Sequence, residues 1–266
     1  MSSNQKIIYV YDDFSTDVPL LMGCLYVSVI KGGESYSFEY DRNWLKTTGL
    51  SLSLDPELMP YAGRQYPSDK NIFGLFADAS PDRWGRVLMN KRERILADKE
   101  GRKPNKLYDS DYLLGVYDET RMGGIRFKLD PNGPFLSDDQ ETAAPPWATL
   151  RTLEEASRHF ESDESGLAEK WLNQLIKPGS SLGGARPKAT VIDTKDQLWI
   201  AKFPSKNDEN DVGAWEMVAH DLAALCGLNV PEAKLEKFSS LGSTFLVKLK
   251  DLSLPFIMAI GSLIRS

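Results

Sequence analysis

Ser180-Ser181-Leu182-Gly183-Gly184-Ala185-Arg186-Pro187-Lys188 is the stretch on which the reading of this chain turns. It is built of small residues, and it precedes an apolar, β-branched run over 189–192 and then Asp193-Thr194-Lys195-Asp196, a turn former. A second run over 197–204 alternates apolar and polar positions, which predicts a strand carrying Lys202 near its end. Lys202 follows Gly184 by 18 positions (202 − 184), enough for one strand, a turn and most of an antiparallel return. The lysine ammonium and the glycine loop are therefore expected at one end of one sheet. Backbone amides near Gly183 and Gly184, with Arg186 and Lys188, suit an anion-binding nest; the plainer alternative is a solvated basic loop.

Working outward, a polar loop over 205–211 leads to a predicted helix over 213–226, closed by Gly227 and by Pro231 soon after. Glu216 falls in its first turns. It can pair with Lys202, or it can be a solvated charge favoured by the helix dipole. Loop, lysine and helix arrive in the order in which protein kinases present nucleotide: a small-residue loop between strands, then a strand lysine, then a helix glutamate.

Several motifs extend this into a family resemblance. Ser181-x-x-Gly184-Ala185-x-x-Lys188, Ala201-Lys202-Phe203-Pro204, Glu216 and Gly227-Leu228-Asn229-Val230-Pro231 resemble the first kinase lobe of the HipA family, the serine/threonine kinase toxins of bacterial toxin–antitoxin pairs. Upstream, Tyr36-Ser37-Phe38-Glu39-Tyr40-Asp41-x-x-Trp44-Leu45, Leu50-Ser51-Leu52-Ser53-Leu54, Pro81-Asp82-Arg83-Trp84-Gly85-Arg86 and Gly123-Gly124-Ile125-Arg126-Phe127 are similar to the HipA amino-terminal domain.

The resemblance implies an α+β chain. A HipA-type amino-terminal domain spans 1–147, with a connecting segment over about 130–147, and a protein-kinase-like N-lobe of antiparallel sheet plus helix spans 148–250. It also implies transfer of the ATP γ-phosphate to a protein serine or threonine with magnesium, growth arrest as the consequence, a small HipB-like DNA-binding antitoxin as partner, and a cytoplasmic setting. Gly183, Gly184, Ala185, Lys188, Lys202 and Glu216 become the expected ATP-site residues. Ser181 becomes the regulatory autophosphorylation site, with Ser180 as a rival acceptor. From the residues alone, either serine is an ordinary turn residue.

Such a kinase also needs an aspartate that orients the attacking hydroxyl, an asparagine nearby and a later aspartate that binds magnesium. None follows Lys248 in this sequence, and the tail over 251–266 leaves the family pattern. A second lobe takes on the order of a hundred residues. The expectation is a carboxy-terminally truncated relative, weak in ATP binding and inactive alone, with no catalytic base and no metal ligand of its own. A different class of function is the alternative: a non-catalytic binding module that engages the antitoxin or another HipA copy.

Composition bounds these readings. The chain has 266 residues, 41% of them hydrophobic, and a net charge of −6, which argues against coating nucleic acid by bulk electrostatics. The first residues lack a basic-then-apolar leader pattern, and the apolar tail over 252–264 is broken by Pro255 and Gly261, which predicts no membrane span. Strands are expected over 6–11, 21–30, 34–40 and 124–129. Helices are expected from Pro81, capped by Ser80, to about Lys99, with Trp84, Val87, Leu88 and Ile95 near one face, and over 110–117, 152–160 and 166–176. Cys24 and Cys226 are expected as small buried hydrophobes, His159 as a solvated or carbonyl-capping group and His220 as a packing residue.

Overall fold

The computed structural model describes residues 5–16, 18–48, 53–68, 71–116, 118, 121, 123–136, 145–162, 172, 175 and 184–249. The chain forms two compact units. Among the described residues, one takes those up to Ser80 and 106–136; the other takes Pro81–Asn105 and 145–249.

The first unit is built on a five-stranded antiparallel sheet. Its strands are β1 (Gln5–Asp12), β2 (Leu20–Ile30), β3 (Gly33–Tyr40), β4 (Arg64–Gln65) and β5 (Ile125–Lys128), in the order β4-β3-β2-β1-β5. Alternation sets the faces: Ile8, Val10 and Asp12 of β1 point inward while Ile7 is exposed. The β2–β3 hairpin closes through Lys31-Gly32, where Gly32 takes φ +91°.

Helix α1 (Arg42–Thr48) starts behind Asp41, whose carboxylate accepts the amides of Asn43 at 2.8 Å and Trp44 at 3.1 Å. That start stacks Trp44 on Tyr40, centroids 5.3 Å apart, and aims its indole N–H at buried Asp12, 2.7 Å away. Asp12 also accepts the amides of Phe14 and Ser15, so this fully buried carboxylate is satisfied on several sides. Helices α2 (Gly74–Asp78) and, later in the chain, the segment Asp109–Leu114 complete the unit. Buried Arg121 donates to the carbonyls of Ala79, Leu113 and Val116, and burial pushes its pKa down to about 10.

Helix α3 (Arg83–Lys99) belongs to the second unit, although its sequence lies within the stretch grouped above with the amino-terminal domain. Its buried Trp84 and Leu88 join the core of that unit. The helix begins at Arg83 behind Asp82, not at Pro81 behind Ser80; the Ser80 hydroxyl is engaged by the Phe76 carbonyl at 2.8 Å. Val87, expected on the apolar face, is exposed. Helix α4 (Asp109–Leu114), already placed in the first unit, is capped at Gly115; Tyr117, the predicted end, lies outside the described residues.

The second unit carries α5 (Leu150–Ser162), β6 (Lys188–Ile192), β7 (Leu198–Lys202), α6 (Val212–Leu225), β8 (Ala233–Glu236) and β9 (Thr244–Lys248), with an antiparallel sheet in the order β6-β7-β9-β8. The β6–β7 turn is pinned by Asp193, which accepts the amides of Lys195 at 2.8 Å and Gln197 at 3.0 Å and the Trp199 indole N–H at 3.0 Å. Its register sets Lys188 directly opposite Lys202. Leu150, Leu153 and Ala156, on one stripe of α5, pack with Trp84, Leu88, Ala189, Val191, Trp199, Ala201 and Leu246 into a single core. Buried Glu154 accepts a hydrogen bond from Thr244 at 2.6 Å, tying α5 to β9. Of the helix predicted over 166–176, only Leu172 and Leu175 are described, both buried in this core.

Candidate functional site

The end of the β6–β7 hairpin brings the sequence-predicted residues together. Lys202, the last residue of β7, donates from Nζ to Glu216 Oε2 at 2.5 Å, so the ion pair expected between strand and helix is formed. Both side chains keep about a third of their surface in water. The pair alone is therefore worth little stability, and its geometric effect, aiming the ammonium, matters more.

What places Glu216 is the start of α6. Asp211 accepts the Ala214 amide at 3.1 Å as a helix cap, and it also accepts the Ser243 amide at 2.9 Å and hydroxyl at 2.8 Å. One carboxylate thus fastens the first turn of α6 to the residue entering β9. Gly213 makes this approach possible: a Cβ there would lie 2.0 Å from the Ser243 carbonyl oxygen.

Lys188 lies across the ladder from Lys202 and is buried. Burial and the ammonium of Lys202 hold its pKa down to about 8, while Asp82 and Glu216 oppose the shift. Gly184 takes φ +86°, and a Cβ on it would sit 2.7 Å from Lys188 Nζ, so the loop closes over the lysine only because that residue is glycine. Ala185 lies exposed beside it. Gly184, Lys188, Lys202 and Glu216 are thereby assembled at one sheet end, whereas Ser181 and Gly183 lie outside the described residues.

The ammonium groups of Lys188 and Lys202 lie at one sheet end and repel one another, and an anionic ligand there relieves that repulsion. If a phosphate is that ligand, it binds the charged form of Lys188. Sign and window follow: Lys188 is protonated well below pH 8, and affinity for ATP is expected to fall as pH rises through that value. A titration series from about pH 7 to about pH 9.5 checks this, with roughly a tenfold loss expected across it and none in Lys188→Met.

Arg186, left open above between solvated and phosphate-binding roles, is spent elsewhere. Its guanidinium pairs with Asp208 through both terminal nitrogens and donates from Nε to the Phe203 carbonyl at 2.9 Å. It braces the loop against the segment after β7. Asp208 in turn accepts the Ser205 amide at 2.8 Å, and Glu161 at the end of α5 accepts the Ser205 hydroxyl at 2.8 Å. Sequence reading missed Asp82, Asp208, Asp211 and Ser243 as contributors. Asp82 lay in a quoted motif, but only as part of a helix start.

Another expectation is corrected. Cys24 is half-buried and Cys226 exposed, so the second is no core residue. His159 stays partly exposed, 3.7 Å from the Glu155 carboxylate one helical turn away. His220 packs as expected, its ring 6.3 Å from that of Phe245, and is also a polar link: Nε2 meets the Pro231 carbonyl at 2.7 Å and Nδ1 meets Asp221 at 3.2 Å, which raises its pKa. Among the described residues, no group of three or more His, Cys, Asp or Glu side chains is arranged to hold a metal ion, and no helix is long and apolar enough to cross a membrane.

Comparison with known families agrees with this geometry. Residues 26–102 match the family model described as the HipA N-terminal domain, and residues 180–251 match the HipA-like C-terminal domain. The second match opens on the glycine loop and runs past β9, so it contains the whole candidate site outside α3. Between them the two models cover more than half of the chain. The chain belongs to the HipA family, a family of kinase-like toxins. No curated protein matches it.

Proposed function

We propose that residues 148–250 form the nucleotide-holding lobe of a HipA-type serine/threonine kinase, with the HipA amino-terminal domain preceding it. ATP supplies the γ-phosphoryl group that a protein hydroxyl accepts. Lys202 contacts its phosphates, Glu216 holds Lys202 in place, Lys188 adds the second cation, and Gly184 with Ala185 and Gly183 lets the loop approach closely. The observation that carries this reading is the placement of Lys188 opposite Lys202, with Gly184 against the Lys188 ammonium and Glu216 2.5 Å from Lys202. Ser181 is proposed as the regulatory phosphorylation site of the loop, a HipB-like antitoxin as partner, and the cytoplasm as the setting.

Magnesium is expected for the family; among the described residues no group of three or more His, Cys, Asp or Glu side chains is arranged to hold a metal ion. The lobe is proposed to bind ATP weakly and to transfer no phosphate by itself. A second reading, a non-catalytic module that docks the antitoxin or another copy, is favoured by one feature: Trp215, Val218, Leu222 and Leu225 leave an apolar stripe of α6 exposed.

Incubation of the purified chain with radiolabelled ATP and a protein mixture, beside equilibrium ATP binding, separates these. The expected result is no labelled protein and weak binding that Lys202→Ala removes. Binding indifferent to Lys202→Ala would contradict the nucleotide reading, and labelling abolished by the same substitution would contradict the proposed inactivity.

A further inference from the structure

The glycine loop is not held by its own strand alone. Gly184 uses both of its backbone polar groups on the first turn of α3: its amide donates to the Asp82 carboxylate, and its carbonyl accepts the Trp84 amide at 3.1 Å. The Trp84 indole N–H then reaches the carbonyl of Lys188 at 3.1 Å. Trp84 itself is buried, edge-on to Phe160 with centroids 5.5 Å apart, so the donor cannot swing away.

We propose that Asp82 and Trp84 are positioning residues for the phosphate-binding loop, a latch that fixes the Gly184 peptide and the Lys188 backbone in the geometry a nucleotide phosphate meets. Three bonds from one helical turn land at both ends of the segment 184–188, and each has a physical reason. The Trp84 amide is one of the unpaired N–H groups at the start of α3, and the Gly184 carbonyl satisfies it. The Asp82 carboxylate caps the helix through the Arg83 amide at 2.6 Å with one oxygen and takes the Gly184 amide with the other. The Gly184 bond, first among the causes, keeps the Asp82 pKa below the usual carboxylate range, so the latch is charged at neutral pH. Because Gly184 stands at φ +86° directly over Lys188 Nζ, a peptide free to turn would move the roof of the lysine pocket.

The consequence is that α3, matched within the HipA N-terminal domain model, is a working part of the lobe that carries the lysines. A boundary drawn at the linker would separate the latch from its loop. The ligand named rests on the nucleotide reading above; the latch does not.

Two variants of the full chain separate latching from helix capping. Asp82→Ser and Asp82→Asn each keep one capping oxygen for the Arg83 amide, but the serine is too short to reach Gly184 and the asparagine turns an NH2 donor, not an acceptor, towards the Gly184 amide. Hydrogen exchange of the Gly184 amide is expected to quicken about tenfold or more in both variants, while amides in the body of α3, whose cap is kept, stay within about threefold of the parent. ATP affinity is expected to fall in the serine variant while adenosine affinity stays unchanged, since the base does not touch the latch. Exchange in Asp82→Ser equal to the parent, or equal losses for ATP and adenosine, would overturn the proposal. Exchange that responds as expected in a chain that binds neither compound supports the latch and removes the nucleotide reading instead.

Discussion

Gly213→Ala is expected to destabilise the second unit by about 3 kcal/mol, the upper part of the range for overpacking, because the added carbon meets backbone and not a yielding side chain. The Ser243 carbonyl oxygen would lie 2.0 Å and its carbon 2.8 Å from the new Cβ. Either α6 lifts or the entry to β9 retreats. In both cases the bonds from Ala214 and Ser243 to Asp211 stretch, and Glu216 is carried away from Lys202. Denaturant unfolding gives the stability loss. Double-mutant analysis of Lys202 and Glu216 in the Gly213→Ala background should find their coupling gone.

Trp199→Ala is expected to cost about 4 kcal/mol, in line with truncation of large buried aromatics. Trp199, the second residue of β7, is fully buried, edge-on to Trp147 with centroids 5.2 Å apart, and Lys234 lies over its ring. Its indole N–H also helps pin the Asp193 turn. Removal leaves a cavity and loosens the hairpin that sets Lys188 opposite Lys202. Trp199→Phe, which keeps most of the volume but not the N–H, should lose roughly half as much. Thermal unfolding of the two variants side by side checks both figures.

Much of this architecture is legible in the sequence because its determinants are local. Alternation in 197–204 placed β7, and the Asp193-containing turn fixed its partner strand. The order of glycine loop, strand lysine and helix glutamate anticipated which side chains would meet, since each is separated from the next by one element of known length. The remainder depended on contacts between distant positions. Asp82 reads locally as a helix start; that its carboxylate takes the Gly184 amide, 102 positions away, follows only from α3 packing Trp84 and Leu88 into the second core. The engagement of Arg186 by Asp208 was hidden for the same reason: a basic residue in a glycine loop carries no local mark of whether a carboxylate or a ligand answers it. The helix predicted from Pro81 began later because Ser80 had a closer acceptor in Phe76.

The Asp211–Ser243 fastening shows how such distant bonds serve the site. A single acidic residue before α6 determines where Glu216 falls, and hence where Lys202 points, without touching either. Substitutions there should mimic loss of the glutamate.

The central claim, that Lys188 and Lys202 face a common phosphate position, is tested most directly by acylating the lysines of the 266-residue chain in the presence and absence of saturating ATP and locating the labels by mass spectrometry. ATP is expected to slow labelling of Lys188 and Lys202, adenosine is not, and distant lysines such as Lys31 and Lys195 are expected to react at unchanged rates. Equal labelling of Lys188 and Lys202 with and without ATP would contradict that claim.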